Sequence, residues 1–70
     1  MEITVELRAY KQERARHLGQ FIEDVFHIDS ETRHHIEIDF LKEAERLEYF
    51  IEVDMLYKRM RQQLLEFYLC

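Results

Sequence analysis

The residues best suited to chemistry lie near residue 30, where histidines and carboxylates are close together in the sequence. They are His27, Asp29, Glu31, His34, His35 and Glu37. Imidazole and carboxylate groups are the ligands of zinc and other divalent metals. The three-residue step from Glu31 to His34 places both side chains on one face of a helix, as in carboxylate-bridged bundles. One hypothesis is therefore a metal-binding helical bundle that uses His34, Glu31 and Glu37.

Solvated histidines at the start of a helix explain the same cluster, so we expect no bound metal or other cofactor. Catalytic motifs are equally lacking in the sequence. It has no glycine-rich phosphate loop, and its only serine, Ser30, is expected to cap a helix. The only cysteine, Cys70, has no second cysteine with which to form an intramolecular disulfide. We therefore expect a protein that is not an enzyme.

The elements that would position these residues are helices. Residues 30–69 contain neither proline nor glycine, and apolar side chains recur there in steps of three and four. The stripe comprises Ile36, Phe40, Ala44, Leu47, Phe50 or Ile51, Tyr57, Met60, Leu64, and Phe67 or Tyr68. A second, broken stripe comprises Ile38, Leu41, Met55, Leu56 and Leu69. The pattern predicts one long helix over about 31–69, roughly 60 Å in length.

A shorter helix is predicted before it, over about 4–28, with the turn at about 28–30. Asp29 or Ser30 can accept hydrogen bonds from the first free amides of the second helix. A connection this short makes the two helices antiparallel neighbours. The sequence thus predicts an all-α fold, a two-helix antiparallel hairpin in a single helical domain of residues 1–70. The single glycine, Gly19, lies inside the first helix, where it either allows close approach of a neighbouring helix or is a local weakness of the helix.

In such a hairpin, residues whose numbers sum to about 58 face each other. The first helix is basic at Arg8, Lys11, Arg14 and Arg16, and the residues expected opposite include Glu43, Glu45 and Glu48. Because the first helix is shorter, residues 56–70 should project about 20 Å beyond it. That overhang is strongly apolar and needs a partner. A second copy would complete a homodimeric four-helix bundle.

A different fold remains open, because three short segments alternate apolar and polar residues as strands do. They lie at residues 3–7, 35–40 and 50–54. A small α+β domain with three short strands is therefore the alternative to the hairpin. The pattern over residues 1–8 fits a strand or the start of a helix.

We expect the chain to act by binding, as a small regulator, inhibitor, adaptor or assembly factor that forms a homodimer and contacts another protein. The expected partner-binding residues are Tyr57, Arg59, Arg61, Phe67 and Tyr68, because tyrosine and arginine often carry interface energy. The net charge of −5 argues against nucleic-acid binding, although an acidic mimic of nucleic acid is a further alternative. No signal peptide or membrane span is apparent, so a cytoplasmic location without membrane contact is expected.

Overall fold

Three α-helices form the fold in a computed structural model that describes the backbone of residues 3–70 and the side chains from Thr4 onward. Helix α1 is Ile3–Phe26, α2 is Ser30–Ala44 and α3 is Phe50–Leu69. The all-α prediction is confirmed. The α+β alternative is wrong, since the three segments proposed as strands are helical over residues 3–7, 35–40 and 50–54. Met1 and Glu2, part of the ambiguous segment 1–8, lie outside the described residues.

The turn between α1 and α2 lies close to where the sequence predicts it. Helix α1 ends at Phe26, and His27 adopts a left-handed conformation with φ of 56°. Histidine is one of the non-glycine residues that tolerate this conformation. The carboxylate of Asp29 then accepts a 2.8 Å hydrogen bond from the backbone amide of Thr32, so Asp29, one of the two predicted capping residues, caps α2. Ser30, the other, is the first residue of the helix.

The two-helix hairpin is wrong in its second half, because the chain bends at residues 45–49 and begins a third helix at Phe50. Lys11 of α1 stabilises the bend by donating a 2.7 Å hydrogen bond to the carbonyl oxygen of Leu47. Glu52 accepts hydrogen bonds of 3.2 Å from the backbone amides of Glu48 and Tyr49, which satisfies two amides that precede α3. Tertiary and capping contacts thus override the helix propensity of this segment.

The bend turns α3 back along α1, so the predicted overhang of residues 56–70 does not exist. Helix α3 runs parallel to α1, since Tyr10 contacts Phe50 at one end of the bundle and Phe26 stacks on Tyr68 at the other. The partner required by the apolar residues of α3 is supplied within the same chain. Val53, Leu56 and Met60 of α3 are buried against α1 and α2.

The core contains side chains from all three helices. Its buried members are Leu7, Ala15, Leu18, Ile22, Ile36, Phe40, Ala44, Val53, Leu56 and Met60. Both α2 and α3 pack on α1, whereas α2 and α3 contact each other least. Helix α1 is therefore the central scaffold, and a groove is left between the other two helices.

Helices α1 and α2 are antiparallel, since Gly19 faces Glu37 and Lys11 reaches Leu47 just beyond α2, but the charge pairs expected between them are not formed among the described residues. Lys11 lies opposite Leu47 as the register requires, yet its ammonium binds backbone carbonyls and not carboxylates. Arg14 pairs with Asp54 of α3 at 3.5 Å, and Glu43 pairs with Arg59 of α3 at 3.6 Å. The third helix thus provides closer partners for these charges than the expected ones.

Candidate interaction surface

Two of the five predicted partner-binding residues, Tyr57 and Tyr68, are half-buried and pack against the core of their own chain. The Tyr57 ring meets Phe40 edge-on, with ring centroids 6.5 Å apart. The Tyr68 ring stacks on Phe26 with centroids 5.0 Å apart. These aromatic contacts join α3 to the other helices, so most of the area of both rings is already used within the chain.

Of the other three predicted residues, Arg59 and Phe67 are exposed and Arg61 is half-buried. Phe67 is 71% exposed and touches the edge of Tyr68. The guanidinium of Arg61 lies 5.5 Å from the centroid of the Tyr57 ring. Arg59 is exposed, and its ion pair with Glu43 leaves more than two fifths of both side chains in solvent. Exposed pairs of this kind contribute little to stability, so Arg59 can exchange its partner readily.

A polar cluster of Tyr10, Arg14 and Asp54 joins α1 to α3. The Tyr10 hydroxyl donates to the carboxylate of Asp54, and Arg14 Nε donates to the same hydroxyl at 3.2 Å. The Arg14 guanidinium also lies between two rings, 5.2 Å from the centroid of Tyr10 and 5.3 Å from that of Tyr57. The cation–π contacts and the hydrogen bond together fix the position of the Arg14 side chain.

The cluster changes two pKa values. The hydrogen bond to Asp54, with burial, raises the pKa of Tyr10 above its usual value, because a phenolate would lose that bond and face the carboxylate. The hydrogen bond to Tyr10 raises the pKa of Arg14. Both groups therefore keep their usual charge states at neutral pH, and the cluster acts as a fixed brace between helices.

The histidine and carboxylate residues near the first turn do not converge. His34 is 67% exposed and its Nδ1 lies 3.9 Å from Glu37 Oε1, while Glu31 is exposed. Glu37 is instead held at 3.3 Å by Arg33. Within residues 3–70, no three histidine, cysteine or carboxylate side chains are grouped as metal ligands. No geometric feature of the described residues therefore supports the metal-binding hypothesis.

No family model, curated protein or solved structure matches the chain. Among residues 3–70, no helix is both long enough and apolar enough to cross a membrane.

Exposed apolar side chains concentrate at the start of α3, a feature that the sequence analysis missed. Tyr49, Ile51 and Met55 have exposed fractions of 64, 66 and 64%, and Phe50 is 39% exposed. The long-helix interpretation assigned Phe50 or Ile51 to the main apolar stripe and Met55 to the second, broken stripe. After the bend the phase of the helix changes, so that Val53 and Leu56 take the inward positions. No pattern in the sequence marks that change of phase.

Two grooves flank this exposed region. One, of about 340 Å³, lies between α2 and α3. Its apolar residues are Leu47, Met55 and Leu56, and its charged residues are Glu43, Arg46, Glu52 and Arg59. The other, of about 670 Å³, lies between α1, α2 and the bend, and includes Leu7, Leu41 and Leu47 among cationic and anionic side chains. Apolar floors with charges of both signs at their edges resemble the centre and rim of protein interfaces.

Proposed function

We propose that the chain is a small non-enzymatic interaction module that forms homodimers and binds another protein, as a regulator, inhibitor, adaptor or assembly factor. One observation carries this proposal. Six of the eight large apolar side chains exposed among the described residues lie between Tyr49 and Leu69. An apolar surface concentrated on one element is typical of an interaction site.

The mixed charges around the apolar residues support a protein partner over a nucleic acid. Glu43, Glu52 and Glu66 lie on or beside the same surface as Arg46 and Arg59. Phosphate binding requires clustered cations, and these carboxylates would oppose it. A protein surface with both signs of charge can match such a rim.

Photo-crosslinking tests this proposal at two exposed positions. Benzoylphenylalanine would replace Tyr49 in one variant and Phe67 in another, with exposed Glu13 of α1 as the matched control position. In a lysate of the source cells, we expect the first two variants to form an adduct with a second protein and the control to form none. If both variants yield no adduct, or only adducts with the chain itself, the proposed binding of another protein is wrong.

A further inference from the structure

Helix α3 carries a second stripe of side chains on the side opposite its core-facing residues. We define the α3 seam as Ile51, Met55, Lys58, Gln62, Leu65 and Leu69. All are exposed except Leu65, which is half-buried. Leu69 keeps 74% of its surface in solvent. The steps alternate strictly between four and three residues, the spacing by which two helices of a coiled coil contact each other.

We infer that the α3 seam binds the α3 seam of a second copy of the chain, with the two α3 helices parallel. This inference rests on the homodimer of the proposed function and specifies its surface and its orientation. The core-facing residues Val53, Leu56 and Met60 already hold α3 in a helical conformation. A seam of about five turns is short for an isolated coiled coil. Here, however, α3 is already helical within the bundle, so association need not supply the free energy of helix formation.

The charges beside the seam favour the parallel arrangement. Each seam is bordered by one row of residues on either side. In a parallel pair, a residue in the row on one side lies near a residue of the second copy that is five positions later in the sequence and belongs to the row on the other side. Asp54 of one copy then lies near Arg59 of the second copy. Arg61 of one copy lies near Glu66 of the second copy. The two-fold axis repeats both pairs, so all four of these contacts join opposite charges.

The antiparallel arrangement places like charges together. Its favourable register pairs the two apolar ends of the seam, Ile51 with Leu69 and Met55 with Leu65. In that register Glu52 lies near Glu66 of the second copy, and Arg59 lies near its own counterpart. Since flanking charges set the orientation of a coiled coil, this repulsion disfavours the antiparallel form and favours the parallel one.

Lys58 and Gln62 occupy the middle of the seam and limit its affinity. In the parallel pair each faces its own counterpart, and the two Gln62 amides can hydrogen-bond to each other. The Lys58 stem can cover apolar surface while its ammonium stays in water. Polar residues in a seam fix its register at a cost in stability. The inferred dimer is therefore in register but weaker than one with an apolar seam throughout.

Sedimentation equilibrium of the full chain and of matched variants tests the seam. We expect Met55→Lys to weaken dimerisation about tenfold or more, and Lys58→Leu to strengthen it about tenfold. Val5→Lys on α1 and Lys42→Leu on α2 change exposed residues of the same types and should leave the dimer unchanged. Circular dichroism confirms that each variant folds. Misfolding cannot imitate the gain expected from Lys58→Leu.

The exposed thiol of Cys70 reports the orientation. In the parallel dimer the two Cys70 residues end at the same place, whereas antiparallel helices of this length would hold them about 30 Å apart. Diamide accepts the two electrons and two protons released when two thiols form a disulfide. We therefore expect a covalent dimer with the native chain, less of it with Met55→Lys, and none with Cys70→Ser.

The outcomes separate this inference from the proposed function. A dimer that responds to neither Met55→Lys nor Lys58→Leu overturns the seam and leaves homodimerisation intact. A responsive dimer without the Cys70 disulfide overturns the parallel orientation. A chain that is monomeric at all concentrations overturns both the seam and the homodimer, while binding of another protein is decided separately by the crosslinks from Tyr49 and Phe67.

Discussion

The side chain of Arg33 in α2 lies directly across Gly19 in α1. A Cβ atom on Gly19 would stand 2.9 Å from Arg33 Cγ, closer than Cβ atoms pack in proteins, and 3.1 Å from Glu37 Cγ, tighter than most such contacts. Arg33 also reaches Glu37 at 3.3 Å and Glu23 of α1 at 3.6 Å. The only glycine of the chain therefore lets α2 approach α1 closely beneath an ion cluster.

Substituting alanine for Gly19 should destabilise the protein. In an open helix this change would stabilise by about 1 kcal/mol. Here the added methyl group meets the stems of Arg33 and Glu37, and overpacking costs about 1–3 kcal/mol. We expect a net loss of about 1 kcal/mol in the free energy of unfolding measured with urea. The double variant with Arg33→Ala should lose less than the two single changes added together. A more stable Gly19→Ala variant would show that the helices are not in close contact.

The brace between α1 and α3 predicts a change in the titration of a tyrosine. Asp54→Asn removes the charged acceptor that raises the pKa of Tyr10, so this pKa should fall toward its usual value. Absorbance of the phenolate, followed as the pH is raised, measures it. Tyr57→Phe is the reference variant. It removes the phenolate absorbance of a tyrosine that neighbours the same cluster and leaves the hydrogen bond between Tyr10 and Asp54 in place. An unchanged titration of Tyr10 in Asp54→Asn would exclude the hydrogen bond.

The same pKa determines the effect of alkali on stability. The pKa of Tyr10 is higher in the folded state than in the unfolded state, so its stabilising contribution is complete below the unfolded value of about 10. It is lost as the pH rises through the folded pKa. Urea unfolding at several alkaline pH values should show this decline in the native protein. The decline should be smaller in Tyr10→Phe, which has no proton to lose.

The cap of α2 predicts the opposite dependence in acid. The pKa of Asp29 is lowered most by a hydrogen bond from the Thr32 side chain, and next by one from the Thr32 backbone amide. Its stabilising contribution is present above the unfolded pKa and is lost as the pH falls below about 4 and through the folded pKa. Asp29→Asn keeps a capping acceptor without a titrating group. Thermal unfolding of this variant should therefore depend less on pH in that range than unfolding of the native protein does.

The role of α3 in the core predicts the result of two truncations. A chain ending at Met55 loses Leu56 and Met60, each with a cost comparable to the 2–5 kcal/mol of a large-to-small core substitution. The total free energy of unfolding of a domain this small is about 5 kcal/mol, so the shortened chain should be unfolded. Circular dichroism measures this as a loss of helical signal. A chain ending at Glu66 keeps every fully buried core residue, loses only the stacking of Tyr68 on Phe26, and should stay helical. A folded chain ending at Met55 would favour the two-helix hairpin.

Local signals in the sequence predicted α1, the first turn, a cap at Asp29 or Ser30, and close approach as one of two explanations for Gly19. The helix follows from the spacing of its apolar residues, and the turn, the cap and the close approach each follow from one or two residues with distinctive chemistry. The bend at residues 45–49 contains no residue of this kind. Leu47 and Glu52 create it through contacts with the core and with the preceding backbone, which exist only once the chain has folded. The exposed patch around Ile51 was missed for the same reason, since its direction depends on that bend.

The bend at residues 45–49 therefore has a consequence for the shape of the molecule. Every residue in it is compatible with an α-helix, so its conformation is held by Lys11, by Glu52 and by the packing of α3 on α1. Detaching α3 from α1 removes those restraints, and the segment is then free to become helical. Helices α2 and α3 would merge into one rod, and α3 of one molecule could fill the vacancy in another. The bend is therefore the point at which the chain would straighten if α3 were displaced.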